Sequence, residues 1–377
     1  MLILKATRED CLAAVQAVLG TVERRHTLPI LAHLLLRKIG EQIEWTSSDL
    51  EMQLRTQSQL GGDAGELATT VGARKLADIL RALPAEQTVS ISSAQNKLTV
   101  QAGRSRFTLQ TLPADDFPLV QEAADYGPVF QLATAVLRTL IEQVEFAMTA
   151  HDIRYYLNGV LMVVESGLLT LVASDGNRLA STEAAVDLDL PRQAVILPRK
   201  TVQELLRLLR EQTGNAQDPA STAQINVRLA SAQVQFKLGA IDFVSRLVEG
   251  KFPNHQSVIP HGHPITLSLN RAALLTSLQR VAILTSDRFR GVRLALSTGQ
   301  LRVTASNAEH EEAVEDLEID YSGARLEMGF NVVYLTDVLQ DTRIDTVQLA
   351  LRDAQSSVLI TCPQRPGFKY VVSPMRI

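Results

Sequence analysis

The chain is poor in residue types that stabilise small extracellular proteins. Among its 377 residues are two cysteines, Cys11 and Cys362, one tryptophan and only 5% aromatic residues. Two cysteines cannot build a disulfide framework, so we expect a reducing, cytoplasmic location without a disulfide. No run of about 18 apolar residues is present, which excludes a membrane-spanning helix. The N-terminal sequence MLILKATRED becomes charged after four residues, which argues against a signal peptide.

The sequence also lacks the common motifs of catalytic and cofactor sites. It contains no GxxxxGK[ST], no GxGxxG after a strand, no HExxH and no CxxC. His255, His261 and His263 have no nearby cysteine or paired carboxylate, so we expect no metal and no cofactor. The glycine-rich GGDAG at 61–65 lacks the helix start of a phosphate-binding loop and predicts a hairpin tip.

What the chain does contain is a long internal repeat. An apolar strand, a polar turn with glycine, an alternating strand and then Ser-Asp or Ser-Asn occur at 34–56, 160–182 and 292–314. The marker residues Asp49, Asp175 and Asn307 lie 126 and 132 positions apart. Solenoid repeats are about 20–50 residues long, so each copy here should be a whole domain. We interpret the markers as turn-closing side chains, because a nucleophile would not be needed three times.

Apolar residues at steps of three and four predict two helices in each repeat, the first with Thr7 as its N-cap. The residues that carry this periodicity are Leu12, Val15, Leu19 and Val22; Leu76, Ile79, Leu80 and Leu83; Val136, Leu140 and Val144; Val202, Leu205 and Leu209; Leu274, Leu278 and Val281; and Val332, Leu335 and Leu339. Helices on one face of antiparallel strands predict an α+β fold of three tandem domains. The turns at 126–128 and 261–264 place the domains at 1–127, 128–264 and 265–377.

Charge is segregated along the chain, although the formal net charge is only −4. The segment 309–320 carries seven acidic residues and no lysine or arginine, whereas the predicted helices at 72–83 and 199–211 are rich in basic residues. Each segment alone could be a solvated face. Basic helices at equivalent places in the repeats instead favour a negatively charged partner such as nucleic acid.

Several motifs in collinear order resemble one known family. They are TLPIL (27–31), DIRYYLNG (152–159), ASDGNRLA (173–180), FRGVRL (289–294), GFNVVYLTDVL (329–339) and VVSPMRI (371–377). Together they resemble the bacterial DNA polymerase III beta subunits, the sliding clamps. The resemblance implies a non-catalytic processivity factor, a head-to-tail homodimeric ring of six similar domains that encircles double-stranded DNA and tethers polymerases. It also implies a clamp loader as partner and a cytoplasmic, nucleoid-associated protein.

The resemblance assigns candidate residues to three surfaces. For DNA contact it implies Arg25, Arg74, His151, Tyr155 and Tyr156, with His151 standing where a relative has glutamine. For the dimer interface it implies Lys75, Arg104, Arg106, Phe107, Leu109, Ile283, Leu284, Glu311 and Glu315. Arg104 and Arg106 fall in a predicted strand at 103–112, and joining its edge to the acidic run would hide both sheet edges.

The third surface is a groove that binds short linear peptides of polymerases and the clamp loader. The resemblance places it at Arg154, Tyr156, Leu157, Ser174, Gly176, Asn177, Arg178, Leu179, Pro253, Val258, Asn331, Tyr334, Ser357, Val371, Pro374, Met375 and Arg376. Four positions depart from a relative's pattern and make the groove more polar: Asn177, Ser257, Gln355 and Ser373. Each large apolar side chain lost there removes ~1–3 kcal/mol of burial, so peptide preference should differ.

Two other functions are compatible with the residues alone. A triplicated domain could build an oligomer with no connection to DNA. An enzyme could use the turn that contains Asp175 or the histidine turn at 261–264. Retention on circular DNA separates the first alternative from a clamp, and a hydrolase screen with Asp175→Ala as control tests the second.

Overall fold

The computed structural model describes residues 1–23, 28–188, 190–213, 223–286, 290–342 and 344–376. The chain forms two compact units. The first unit consists of Met1–Ala135 and Gln203–Leu247, and the second unit consists of Val136–Val202 and Val248–Ile377. Two of the three limits between the units fall inside helices, at Thr134–Glu142 and Arg199–Thr213, and the third follows the strand Ile241–Arg246.

Six copies of one strand–helix–three-strand motif follow one another in the described residues. The first three copies are β1 (Leu2–Thr7), α1 (Arg8–Ala17), β2 (His33–Gly40), β3 (Gln42–Ser48) and β4 (Met52–Gln59); β5 (Gly65–Gly72), α2 (Ala73–Ala82), β6 (Thr88–Ala94), β7 (Lys97–Ala102) and β8 (Ser105–Gln110); and β9 (Phe130–Ala133), α3 (Thr134–Glu142), β10 (Gly159–Glu165), β11 (Leu168–Ser174) and β12 (Arg178–Ala185).

The other three copies have the same order. They are β13 (Gln193–Pro198), α4 (Arg199–Thr213), β14 (Gln224–Leu229), β15 (Gln233–Leu238) and β16 (Ile241–Arg246); β17 (Ile265–Asn270), α5 (Arg271–Val281), β18 (Gly291–Ser297), β19 (Gln300–Ser306) and β20 (Glu312–Glu318); and β21 (Leu326–Asn331), α6 (Val332–Asp341), β22 (Thr346–Leu351), β23 (Val358–Cys362) and β24 (Arg365–Val372). Each predicted domain therefore contains the motif twice.

The two helices predicted for each repeat are confirmed. The side chain of Thr7 caps α1 by accepting a hydrogen bond from the amide of Asp10 at 3.1 Å, as predicted. This helix ends at Ala17 and is followed by a 3-10 helix at Leu19–Thr21, so the predicted residues Leu19 and Val22 lie outside it. Leu83 and Val144 likewise lie beyond the ends of α2 and α3. The other 3-10 helices are Pro29–Ala32, Ala114–Asp116, Glu145–Ala147, Tyr155–Leu157, His255–Ser257 and Ala282–Leu284. Among the described helices, none is long and apolar enough to cross a membrane.

In the part of the chain that the structure describes, all strand pairs are antiparallel and form two sheets in each unit. The first unit has the orders β5-β2-β3-β4-β16-β15-β14-β9 and β1-β6-β7-β8, and the second has β13-β10-β11-β12-β24-β23-β22-β17 and β20-β19-β18-β21. Each eight-stranded sheet joins two motifs through their last strands. In β4–β16, Met52 faces Ser245, and in β12–β24, Arg178 faces Val372. The α+β class is thus confirmed.

The core of each unit lies between a pair of helices and the sheets. In the first unit α1 packs on α2 and contacts strands of both sheets, and in the second unit α5 packs on α6 in the same way. Helix α2 buries Ala73, Leu76, Ala77 and Leu80, the spacing that places side chains on one helix face. Both cysteines are free and buried in this interior.

The prediction of a hairpin tip at 61–65 is wrong. This segment connects β4 to β5, which are not neighbours in the sheet. Gly61 and Gly62 adopt positive φ angles of 68° and 99°, and the carbonyl of Leu2 accepts a hydrogen bond from the amide of Asp63 at 2.9 Å. The glycines are needed because a side chain at Gly62 would collide with the backbone of Ile3. The segment therefore crosses to β1 and does not turn back on itself.

Candidate functional site

The three marker residues of the repeat close turns, as predicted. Asp175 accepts hydrogen bonds from the amides of Asn177 at 2.9 Å and Arg178 at 3.0 Å. Asp49 accepts from two amides in the equivalent turn of the first repeat, and Asn307 does so in the third. These side chains keep their turns rigid by replacing missing backbone partners. The turn at 174–178 also carries four of the predicted groove residues, Ser174, Gly176, Asn177 and Arg178, so its rigidity bears on that surface.

Arg154 of the predicted groove is held against the Asp175 turn. Its guanidinium donates to both carboxylate oxygens of Asp152, at 3.0 and 2.7 Å, and to the carbonyl of Asp175 at 3.1 Å. These hydrogen bonds lower the pKa of Asp152 to about 2. Gly176 completes the contact, because its φ is 91° and a Cβ there would lie 2.8 Å from the guanidinium. The predicted groove residues of segments 154–157 and 174–179 are thus adjacent.

An apolar cluster lies under these two segments. It contains three predicted groove residues, Leu157, Leu179 and Val371, with Tyr156 packed against it. Its other buried members were not predicted: Leu161, Val163, Val172, Ile196, Phe252 and Ile259. The apolar runs of β10 and β11, typical of buried strands, are the signal that could have identified Leu161, Val163 and Val172. Burying one such leucine or isoleucine contributes ~1.5–3 kcal/mol, so this cluster stabilises the two segments that carry the exposed groove residues.

Arg178 is buried, although it was predicted to line the groove. Only 9% of its side chain is exposed, and each guanidinium nitrogen donates a hydrogen bond. The acceptors are Asp175 at 3.1 Å, Asp337 at 2.6 Å and the carbonyl of Phe146 at 2.6 Å. The guanidinium carbon lies 4.5 Å from the centre of the Tyr334 ring, a cation–π distance. Arg178 therefore connects the Asp175 turn to α6.

The C-terminal segment reaches the same turn. The amide of Ser373 donates to the carbonyl of Asn177 at 2.9 Å, and the Ser373 hydroxyl lies 3.4 Å from that of Ser357. Pro374 and Met375 are half-buried, and the amide of Met375 donates to the carbonyl of Gly329 at 2.8 Å. The remaining predicted groove residues are Asn331, which caps α6, and the exposed Pro253, Val258 and Arg376.

The predicted DNA-contacting residues are only partly described. Arg25 lies outside the described residues. Arg74 is exposed at the start of α2, and its guanidinium donates to the carbonyl of Val22 at 2.7 Å. His151 is exposed, and Tyr155 is 57% exposed with its ring centre 6.0 Å from that of Tyr156. Tyr155 thus presents aromatic surface to solvent, while Tyr156 is half-buried.

The predicted interface residues lie on α2, at two sheet edges and in one 3-10 helix. Lys75, Arg104 and Arg106 are exposed, while Phe107 and Leu109 on β8 are half-buried. The strand begins only at Ser105, so Arg104 lies in the preceding turn and not in a strand from 103 to 112. Ile283 is 78% exposed and Leu284 is half-buried in the 3-10 helix after α5.

Two predicted interface acids already have partners within the chain. Arg280 donates to Glu315 at 2.8 Å, and this hydrogen bond lowers the pKa of the Glu315 carboxyl. The Asn307 side chain donates to Glu311. Glu311 precedes β20 and Glu315 lies on its half-buried face, whereas Val314 lies on the opposite face and is 47% exposed. The edge of β20 is therefore acidic with an apolar patch.

Comparison of the chain with protein-family models identifies the family to which it belongs. Models of the DNA polymerase III beta subunit match the chain in three consecutive pieces: the N-terminal domain at residues 2–121, the central domain at 131–254 and the C-terminal domain at 256–376. The chain belongs to the bacterial DNA polymerase III beta subunit family. It is therefore a sliding clamp by family, a non-catalytic processivity factor, and the alternative of an enzyme built on Asp175 falls away.

Relatives and solved structures agree along the whole length. The beta sliding clamp of Pseudomonas aeruginosa is 43% identical over 378 residues, covering 98% of each chain, and that of Escherichia coli is 40% identical over 370 residues, also covering 98% of each. A crystal structure of the P. aeruginosa clamp with ligand matches with a TM-score of 0.92 at 40% identity, covering 99% of both chains. The Caulobacter crescentus clamp matches with a TM-score of 0.91 at 34% identity, covering 99% of this chain and 98% of that one.

Proposed function

We propose that two copies of the chain associate head to tail into a closed ring that encloses duplex DNA. Polymerases and a clamp loader would then bind to the ring through short peptides in the predicted groove. The domain limits 1–127, 128–264 and 265–377 would mark the three domains that each copy contributes to the six-domain ring. The observation that carries the proposal is the pairing pattern of the last strand in each motif.

Within the chain, last strands pair with last strands. The strand β4 pairs with β16, and β12 pairs with β24, in both cases antiparallel. Two last strands remain, and among the described residues β8 pairs only with β7, and β20 only with β19. An open edge recruits another strand, and a β8–β20 pair between copies would repeat the internal pattern. Because the two edges differ, the contact is head to tail, and two such contacts close a dimer.

The two edges are complementary in charge. Arg106 lies on β8 with Arg104 in the turn before it, whereas β20, from Glu312 to Glu318, carries Glu315 and three other acidic residues. Exposed ion pairs contribute only ~0–1 kcal/mol each, so they orient the contact more than they stabilise it. The half-buried Phe107 and Leu109 would supply the apolar part.

The segment after the first helix of each domain supports the same arrangement. Gly20, Phe146 and Ile283 each lie twelve residues after the first residue of α1, α3 and α5. A Cβ at Gly20 would meet the carboxylate of Glu204 on α4, and the carbonyl of Phe146 accepts from Arg178, which is bonded to α6. The equivalent partner of Ile283 would be α2 of the other copy, where Lys75 and Asp78 are exposed.

Enclosure explains how the clamp can hold DNA without reading it. A protein that slides cannot make strong contacts to base edges, because these would arrest it at particular sequences. Phosphate contacts from the predicted set, Arg25, Arg74, His151, Tyr155 and Tyr156, would be weak and independent of sequence. The low net charge of −4 is compatible with this role, because enclosure and not affinity prevents escape.

The groove would receive apolar side chains of partner peptides. It combines aliphatic walls, a half-buried Met375 and polar positions such as Asn177 and Ser373, a mixture that suits exchangeable partners. One structure of the P. aeruginosa relative is described as bound to griselimycin, and one of the C. crescentus relative as having PEG at a putative beta-motif tethering region. The protein would work in the cytoplasm, associated with the nucleoid.

Retention on circular DNA tests the enclosure. The chain is loaded by a bacterial clamp loader with ATP onto a nicked plasmid and separated from free protein by gel filtration. We expect it to stay with the circle at moderate salt and to leave when a restriction enzyme linearises the plasmid. Equal retention on circular and linear DNA would show binding by affinity and would overturn the ring. No retention on either form would favour an oligomer with no connection to DNA.

A further inference from the structure

An acid–arginine contact with one buried and one half-buried partner recurs in the two units. In the first unit, Glu204 is the sixth residue of α4 and only 7% exposed. Arg207 donates to it at 2.6 Å and reaches the carbonyl of Ala17, at the end of α1, at 3.4 Å. The contact thus has three parts: an acid on α4, an arginine, and a carbonyl at the end of α1. We call such a contact, between an acid on one helix and a carbonyl at or after the end of another, the latch.

The second unit contains the same latch with one part exchanged. Asp337 is again the sixth residue of its helix, α6, and its arginine again reaches a carbonyl after the first helix, that of Phe146. The arginine, however, comes from elsewhere. Position 340, three residues after Asp337, is a glutamine, and the guanidinium is supplied by Arg178 at the start of β12.

This exchange ties the latch to the predicted groove. Arg178 ends the Asp175 turn, and its guanidinium also donates to Asp175 and lies over the ring of Tyr334. In the first unit the corresponding place, three residues after the turn-closing Asp49, is occupied by Met52, which cannot donate such hydrogen bonds. Of the two latches, therefore, only the one in the second unit contains a predicted groove residue, Arg178, which joins α6 to the Asp175 turn.

We propose that Asp337 and Arg178 are positioning residues for the peptide groove. Asp337 holds the Arg178 guanidinium, which in turn sets the Asp175 turn and the Tyr334 ring at the spacing that a peptide requires. Arg178 would not touch the peptide, because its three nitrogens are already engaged and its side chain is buried. A buried guanidinium that loses one anionic partner has to find another, and the turn and the ring shift with it. The inference rests on the proposed groove.

The two latches provide a matched experiment. Asp337→Asn and Glu204→Gln each remove one charge from an equivalent helix position, but only the first is connected to groove residues. Binding of a fluorescein-labelled peptide, Gln-Leu-Ser-Leu-Phe, is measured by anisotropy for wild type, both variants and Asp337→Glu. Thermal unfolding is measured on the same samples, and hydrogen exchange reports on the amides of Asn177 and Arg178.

We expect Asp337→Asn to weaken peptide binding about tenfold, the effect of one charge-assisted hydrogen bond, and to speed exchange at the two turn amides. Glu204→Gln should bind within about twofold of wild type even if it melts earlier, and Asp337→Glu should recover most of the affinity. Unchanged binding by Asp337→Asn, or equal weakening by Glu204→Gln, would overturn the positioning role alone. If wild type does not bind the peptide, the proposed peptide groove is wrong, and so is the positioning role that rests on it.

Discussion

The exposed 3-10 helix after α5 yields the sharpest test of the proposed ring. Ile283 is 78% exposed in the single chain, so its side chain contributes little to the folding of that chain. In the proposed dimer it would be covered by the other copy. Replacing Ile283 and Leu284 by alanine should therefore weaken association while leaving the fold of each copy intact.

The size of the effect follows from the side chain and the symmetry. Ile283→Ala removes three carbons, each contributing ~0.8 kcal/mol when buried, or ~2.4 kcal/mol for each interface. A closed head-to-tail dimer contains two identical interfaces, so the loss from Ile283 alone is about 5 kcal/mol for the ring. Since ~1.4 kcal/mol corresponds to a factor of ten, the dissociation constant should rise at least a thousandfold. Leu284→Ala adds a smaller loss, because this side chain is already half-buried.

Sedimentation velocity from nanomolar to micromolar protein measures the change. Ile39→Ala is the matched control, because Ile39 is 67% exposed and lies on β2, outside the proposed interface. We expect the double variant to sediment as a monomer at concentrations where wild type and the control are dimers, with equal circular dichroism spectra. A double variant that remains dimeric at nanomolar concentration would show that this 3-10 helix is not in the interface.

Three further outcomes are expected. Arg74→Ala should reduce the slope of log affinity for duplex DNA against log salt by about 0.9, one phosphate contact, and an unchanged slope in a fully folded variant would remove Arg74 from the DNA surface. Burial and the nearby Lys75 lower the pKa of His33 from 6.5, so the unfolded state binds more protons below that pH. The melting temperature should therefore fall from pH 7 to pH 5, and His33→Asn should make the melting temperature depend less on pH. Burial raises the pKa of Cys11 to about 12 and of Cys362 to about 11, so iodoacetamide at pH 8 should label neither thiol in the native protein and both in guanidinium chloride, whereas rapid native labelling would contradict their burial.

The periodic parts of this fold were predictable because they are local. The helix faces of α2 and α5 follow from apolar spacing, and Asp49 and Asp175 close turns within three residues of themselves. The doubling of the motif inside each domain was not predicted. One of its first strands, the four-residue β9, carries too few residues for alternation to be recognised. The prediction of a hairpin tip at 61–65 failed because this segment contacts β1, which is remote from it in sequence.

The groove shows the same division between local and remote contacts. Family resemblance identified Arg178, Tyr334 and the Asp175 turn, but the sequence does not show that Arg178 is buried. Its partners Phe146 and Asp337 lie 32 and 159 residues away, and an aspartate on a helix ordinarily indicates a solvated face. Aligning the second helices of the three domains would have revealed an acid at the sixth place each time, at Asp78, Glu204 and Asp337.

The way the eight-stranded sheets are assembled limits how such a chain can be cut or recombined. The central piece recognised at 131–254 contributes β12 to one sheet and β16 to another, and in each sheet the next strand comes from a neighbouring domain. A fragment excised at these limits would carry two bare edges and should aggregate in isolation. Gene fusions or domain exchanges in this family should therefore succeed when breakpoints preserve both strand pairs and fail when they separate them.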